Sequence, residues 1–139
     1  MDTKQKAYDI AKTQMYDHDA FSQWLGIEIL DLDAGQAVLQ LKVRKEMTNG
    51  FGIAHGGITY SLADSALAFA ANAHGRHSVS IETSISHLQP VRVDDVLTAR
   101  VEEESLNHKI GVYRITIINQ ASQKVAVFKG TVYRTSKEW

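Results

Sequence analysis

The spacing of hydrophobic residues changes period along this chain and divides it into elements. Tyr8, Ala11 and Met15 stand three and four apart among polar residues, which predicts an amphipathic helix over residues 3–16. Asp19 reads as the N-cap of a second, short helix. Phe21, Trp24 and Leu25 form its apolar face and Gly26 its stop. Residues 1–25 are thus a helical segment, expected to lie over the core as a lid, with Phe21 and Trp24 as packing residues or as pocket walls. From Ile27 the period becomes two. Ala37, Leu39, Leu41 and Val43 share one face of a strand, and Gln36, Gln40, Lys42 and Arg44 largely fill the other, the signature of an antiparallel sheet with one wet side. The pattern then turns apolar on nearly every side from Ile58 to Ala73, which predicts a long buried helix over residues 55–74. Three alternating runs follow, at 78–89, 95–104 and 110–135. The last is broken by the polar turn Asn119–Gln123, and a hairpin is expected near Ser105 to His108. About six strands and one long helix inserted after the second strand make an α+β protein whose antiparallel sheet must wrap that helix.

Two features inside this pattern carry chemistry. In the 78–89 run, Ser80, Glu82, Ser84 and Ser86 fall on one face, opposite Val79, Ile81, Thr83 and Ile85. Such a strand is either solvated or an edge that pairs with another subunit. Asp64 is the only ionisable residue besides Tyr60 between Ile58 and Ala73. An ionised carboxylate in a core costs several kcal/mol unless hydrogen-bonded or paired. With a helix starting near His55, nine residues separate it from Asp64, roughly 13.5 Å of rise and two and a half turns, so the two side chains point in opposite directions. One substrate touching both groups therefore needs a second copy of the chain, which predicts an oligomer with sites at its interface.

Composition narrows the classes. The 139 residues suffice for one domain, 1–139, with a single core. Fifteen basic and sixteen acidic residues give a formal net charge of −1, which leaves no basic excess to hold nucleic acid or a membrane surface. There is no cysteine, which removes disulfides, thiolate nucleophiles and cysteine-ligated zinc together. The opening MDTKQKAYDIAK lacks the apolar core of a secretory signal, and the alanine-rich helix falls short of about twenty strongly apolar residues; a cytoplasmic protein is expected. The six histidines include no HExxH arrangement, and no metal site is expected.

Singly, the polar residues around the helix start have ordinary readings. Asn49-Gly50 is a tight-turn signal, His55 a cap, Gly56-Gly57 a flexible entry and Asp64 a hydrogen-bonded structural group. Taken together, Asn49-Gly50, His55-Gly56-Gly57, Leu62-Ala63-Asp64, Leu88-Gln89-Pro90, Gly111-Val112-Tyr113 and Asn119-Gln120 form a pattern. It resembles the hotdog-fold acyl-CoA thioesterases, and among them the PaaI type associated with phenylacetate breakdown, over roughly residues 5 to 134. That resemblance implies hydrolysis of a small, aryl-type acyl-CoA, such as a phenylacetyl or hydroxyphenylacetyl ester, to free acid and CoA. Asp64 would be nucleophile or general base. Gly56 and Gly57 would offer backbone amides to the carbonyl oxygen, Asn49 and His55 would position the thioester and attacking group, and Ser80 would hold a water. It further implies a homodimer, with Asp64 and Ser80 of one subunit facing Asn49, His55 and Gly56 of the other, and a dimer of dimers. No separate cofactor is expected, since coenzyme A is part of the substrate.

The segment after Pro90 departs from the family, reading Val91-Arg92-Val93-Asp94-Asp95 where a Gly-Asp pair is usual. Arg92 and Lys109 are candidates for the CoA phosphates, and Met47, Phe51, Tyr60 and Phe69 for the acyl pocket. A hotdog dehydratase or hydratase is a competing reading that would need a facing histidine and carboxylate. A non-catalytic acyl-CoA sensor would be expected to lack the acid at position 64 or to carry a DNA-binding extension.

Overall fold

In the computed structural model, which describes residues 2–139, one six-stranded antiparallel sheet curls around one long helix. The strands are β1 (Glu28–Asp33), β2 (Gln36–Lys42), β3 (Arg76–His87), β4 (Val96–Leu106), β5 (Ile110–Ile118) and β6 (Lys124–Glu138), ordered β1-β2-β4-β5-β6-β3. Ahead of the sheet come two short helices, α1 (Thr3–Tyr8) and α2 (Ala20–Leu25). The long helix α3 (Gly56–Asn72) follows β2, as the hydrophobic pattern predicts, and the hotdog arrangement is complete.

Alanine explains how the sheet closes on α3. Ala63, Ala66, Ala70 and Ala71 are buried on a helix whose residues favour helix formation and whose small side chains let strands come close. The approach is tightest at Gly130 of β6, where a Cβ would sit 2.5 Å from Leu67 Cδ2. Gly35, at φ +73° in the β1–β2 turn, donates its N–H to Ala70 O at 3.0 Å and ties that hairpin to the helix. The core includes Leu39, Leu41, Phe69, Tyr113, Ile115, Ile117 and Phe128.

Three local departures from the expected pattern matter. Residues 3–16 are not one α-helix: after Tyr8 the chain widens into a π-helical stretch, Asp9–Met15, and tightens into a 3₁₀ turn, Tyr16–His18. The wider turn shifts the buried face to Ala7, Ile10 and Ala11 and leaves Tyr8 and Met15 half-buried. β3 does not keep one polar face, because its register against β6 shifts between Ser80 and Glu82. This bulge leaves Val79 and Ile81 outward, 55% and 58% exposed, while Thr83 and Ile85 come back onto the core side. Finally, α3 is not buried all round. Gly57, Ser61, Asp64 and Ala68 are half-buried along one stripe of it.

Candidate active site

The first turn of α3 is built by His55. Its ring folds back so that Nδ1 accepts the Gly57 N–H at 2.8 Å, making the histidine the N-cap. An accepting Nδ1 places the proton of the neutral ring on Nε2 and turns a donor outward. The Gly57 amide, expected to receive a carbonyl oxygen, is thereby engaged within the chain. The Gly56 N–H has no such partner among the described residues, and as a first-turn amide it has none within the helix. Gly56 is exposed, and the His87 ring occupies the side where a Cβ would stand, with Nε2 3.2 Å from that position, a fit that glycine allows.

Asn49 sits one loop earlier. Its Oδ1 accepts the Phe51 N–H at 2.9 Å and its backbone closes a turn with Gly52, so the turn reading and the site reading are both physically met. With Oδ1 so held, the amide nitrogen is directed elsewhere. Asn49 and Gly56 share a cleft of about 340 Å³ with Ile53, Ala54, Thr59 and the segment His87–Val91.

Asp64 lies in a different cleft, of about 250 Å³, with Leu67 and Ala68 of α3, Ser78, Val79 and Ser80 of β3, and Val132 of β6. Burial pushes its carboxyl above the usual aspartate range, and no donor among the described residues counteracts that. The structure thus brings Asp64 and Ser80 together, and separately Asn49 and Gly56. It does not join the two groups within one chain, as the opposite-face geometry of His55 and Asp64 requires.

A third cleft, about 330 Å³, opens on the other side of the helix start. Phe21 and Trp24 of α2 line it with Met47, Thr48, His55, Gly57, Ile58 and Ser61. The two aromatic rings stack at 6.2 Å between centroids and are 53% and 55% exposed. Arg44 fixes them from below, donating to Trp24 O and Leu25 O at 2.9 and 3.1 Å with its guanidinium 5.2 Å from the Trp24 ring. Of the side chains expected to wall an acyl pocket, Met47 lines this cleft. Phe51 is 90% exposed, Tyr60 packs edge-on to Phe128, and Phe69 is core against Tyr16. Phe21 and Trp24, read from the sequence as packing residues or pocket walls, line this cleft instead.

Arg92 and Lys109 are not neighbours. Arg92 belongs to the turn before β4 and Lys109 to the turn after it, so the eleven residues of β4, roughly 33 Å of strand, lie between them. They cannot clasp one phosphate group within a chain. The fold also delivers Thr59 and His87 to the first cleft, and neither carries a signal in the hydrophobic pattern. Thr59 looks like one more helix residue, and His87 is the last residue of a strand, its ring brought onto α3 by tertiary packing alone.

The profile of the thioesterase superfamily matches residues 51–126, which run from the loop before α3 into β6. The acyl-coenzyme A thioesterase PaaI of Escherichia coli is 40% identical over 120 residues, covering 86% of this chain and 86% of that protein. The structure of the E. coli PaaI protein, from the phenylacetic acid degradation operon, superposes with a TM-score of 0.95 at 37% identity over 99% of both chains. A hypothetical thioesterase protein of Streptococcus pneumoniae TIGR4, solved with coenzyme A, superposes with a TM-score of 0.85 at 28% identity, over 91% of this chain and 99% of that one. By its helix-wrapping sheet, and by likeness running through the helix start and both strands that flank it, this chain belongs to the thioesterase superfamily.

Proposed function

We propose that this protein hydrolyses acyl-CoA thioesters of small aryl acids, at a site completed by two copies of the chain. One observation carries the proposal: Asp64 with Ser80, and Gly56 with Asn49, line two separate clefts toward opposite ends of β3, an edge strand that exposes Val79 and Ile81. Pairing β3 with β3 of a second copy, antiparallel about a two-fold axis, sets the Asp64 cleft of one subunit beside the Gly56 cleft of the other. The same pairing covers the half-open stripe Gly57-Ser61-Asp64-Ala68 and brings Arg92 of one copy toward the Lys109 end of the other.

Each group then has a task. The Gly56 N–H, at the positive end of α3, receives the thioester oxygen, and one such donor contributes about 3 to 4 kcal/mol to stabilising a tetrahedral oxyanion. Asn49 and the outward Nε2–H of His55 orient the ester, and Gly57 acts through His55 by fixing its ring. Asp64, with Ser80 sharing a water, takes a proton from that water as it adds to the carbonyl carbon. The Phe21–Trp24 cleft receives the acyl group, and its stacked rings suit an aryl acid. The acyl-coenzyme A activity of E. coli PaaI, its phenylacetic acid degradation operon and the coenzyme A held by the pneumococcal thioesterase support substrate and class alike.

The test is a panel of phenylacetyl-, hydroxyphenylacetyl-, benzoyl- and short aliphatic-CoA esters. Aryl esters are expected to turn over best, and Asp64→Asn is expected to lose at least 1,000-fold in kcat, on the order of the largest general-base effects, with fold and assembly retained. Full turnover by Asp64→Asn removes the carboxylate from the chemistry. Single turnover in H₂¹⁸O separates its roles: label in the product acid with none in Asp64 supports the base, and label in Asp64 with an unlabelled product establishes a covalent anhydride. Mixing inactive Asp64→Ala with inactive Gly56→Pro should restore activity in hybrids. No recovery with confirmed subunit exchange places the whole site in one chain.

A further inference from the structure

We infer that His87 is a catalytic residue, whose imidazolium protonates the sulfur as coenzyme A departs; the inference rests on the thioesterase reading above. The His87 side chain lies on the first turn of α3. Its Nδ1 stands 3.3 Å from Thr59 Oγ1, and the Thr59 hydroxyl donates in turn to Gly56 O at 3.1 Å. A hydroxyl has one proton. With that proton directed to Gly56 O, the hydrogen between Thr59 and His87 must come from Nδ1. Thr59 is 3% exposed, so no solvent competes for this arrangement. The other ring nitrogen, Nε2, is left free and hangs over Gly56, where a Cβ would meet it at 3.2 Å. One nitrogen is held by the helix and the other is presented beside the amide proposed to bind the thioester oxygen.

The clefts decide which atom of the substrate it meets. The thioester carbon belongs at Gly56, between the aromatic cleft of Phe21 and Trp24 and the cleft lined by Asn49, Thr59, His87 and Gln89. With the aryl acyl group in the first, the amide-bearing arm of coenzyme A occupies the second, and the sulfur that joins them passes the ring of His87. Because Nδ1 keeps its hydrogen in either form, Nε2 carries one only as imidazolium, and that form is the donor.

The step balances. Water adds to the carbonyl carbon and gives a proton to Asp64. On collapse the C–S bond breaks, its electron pair goes to sulfur, and the Nε2 proton of His87 follows it to give the thiol. Solvent then returns a proton to His87 and takes one from Asp64, and both groups end as they began. Donation of this kind contributes about 100-fold or more where the leaving group is basic, and little where it is not.

The leaving group is therefore the probe. Wild type, His87→Gln and His87→Phe are compared on two esters of phenylacetic acid, the alkyl thioester of pantetheine and the thioester of 4-nitrothiophenol, whose thiolate leaves unaided. Both variants are expected to lose about 100-fold in kcat on the pantetheine ester and less than threefold on the nitrothiophenyl ester. Equal losses on both esters, or undiminished turnover of the pantetheine ester, overturn the inference; two substitutions of different shape guard against misfolding of one. Asp64→Asn, run alongside, is expected to lose both substrates. If it loses neither, the thioesterase reading has failed; if it loses both while His87 variants are unaffected, only this inference has.

Discussion

A carboxylate that lies beside Leu67 and Ala68 with no donor among the described residues is held at a cost in stability, and the cost has a definite pH dependence. Burial raises the carboxyl of Asp64 above its ordinary value of 3.8. Below the unfolded value, about 3.9, both states are protonated and no penalty arises. As pH rises through the higher folded value, the native state must carry a charge that the unfolded chain carries more cheaply, so the stability present at low pH is lost. Asp64→Asn should therefore melt roughly 2–4 °C higher than wild type at pH 7–8, with the gain vanishing near pH 4. Melting curves at both pH values check it, and a gain independent of pH would mean that charge is not the cause. The Asp64 position was legible in the sequence because an acid in an alanine-rich helix is conspicuous. The sequence offers Gly56 and Gly57 together as amide donors. What separates them is the rotamer by which His55 takes the Gly57 N–H and leaves that of Gly56, a choice no spacing encodes.

At the scale of elements, the aromatic cleft depends on a six-residue helix too short to be stable by itself. α2 is fastened at both ends. Asp19 accepts the Ser22 N–H at 2.9 Å and the Ser22 hydroxyl at 2.6 Å, and Ser22 Oγ reaches Ser65 of α3 at 2.8 Å. Gly26, at φ +76°, closes the other end, where Arg44 binds the last carbonyls. Asp19→Ala removes the cap and should cost about 1–2 kcal/mol. Because the loosened element carries Phe21 and Trp24, KM for phenylacetyl-CoA should rise several-fold while kcat for acetyl-CoA, which needs no aromatic wall, holds. Steady-state kinetics on the two esters read this out, and parallel changes on both would detach α2 from acyl recognition. Asp19 and Gly26 were plain in the sequence because caps and stops are local. The π-helical stretch at Asp9–Met15 and the bulge between Ser80 and Glu82 were not, since each inserts one extra residue per turn or pair without a distinguishing side chain. The bulge has consequences, because it sets Ser80 beside Asp64 while returning Thr83 to Tyr60 and Ile85 to the core.

For the whole molecule, the decisive question is what covers β3. The hydrophobic pattern predicts about six strands and one long helix behind a helical N-terminal segment, but the order in which strands pair is set by contacts far apart in sequence. Only that order makes β3 an edge. An edge strand with two apolar side chains more than half exposed, next to a cleft holding a carboxylate with no donor among the described residues, is poorly suited to water, and the proposed pairing with its own copy would relieve both defects. In a two-fold β3 pair, a charge placed near the axis faces its own image, and like charges on adjacent strands repel. Ile81→Lys changes nothing inside the subunit, since Ile81 points outward after its bulge. It should therefore give folded monomers with a helix content equal to wild type and with turnover at least 100-fold lower. Ile81→Val, which keeps the apolar surface, should leave both assembly and rate intact. Sedimentation velocity and thioester hydrolysis on the same samples make the comparison. Monomers with full activity would show that Gly56 and Asp64 never needed a second chain, because the geometry that holds them apart in one subunit would then have to close some other way.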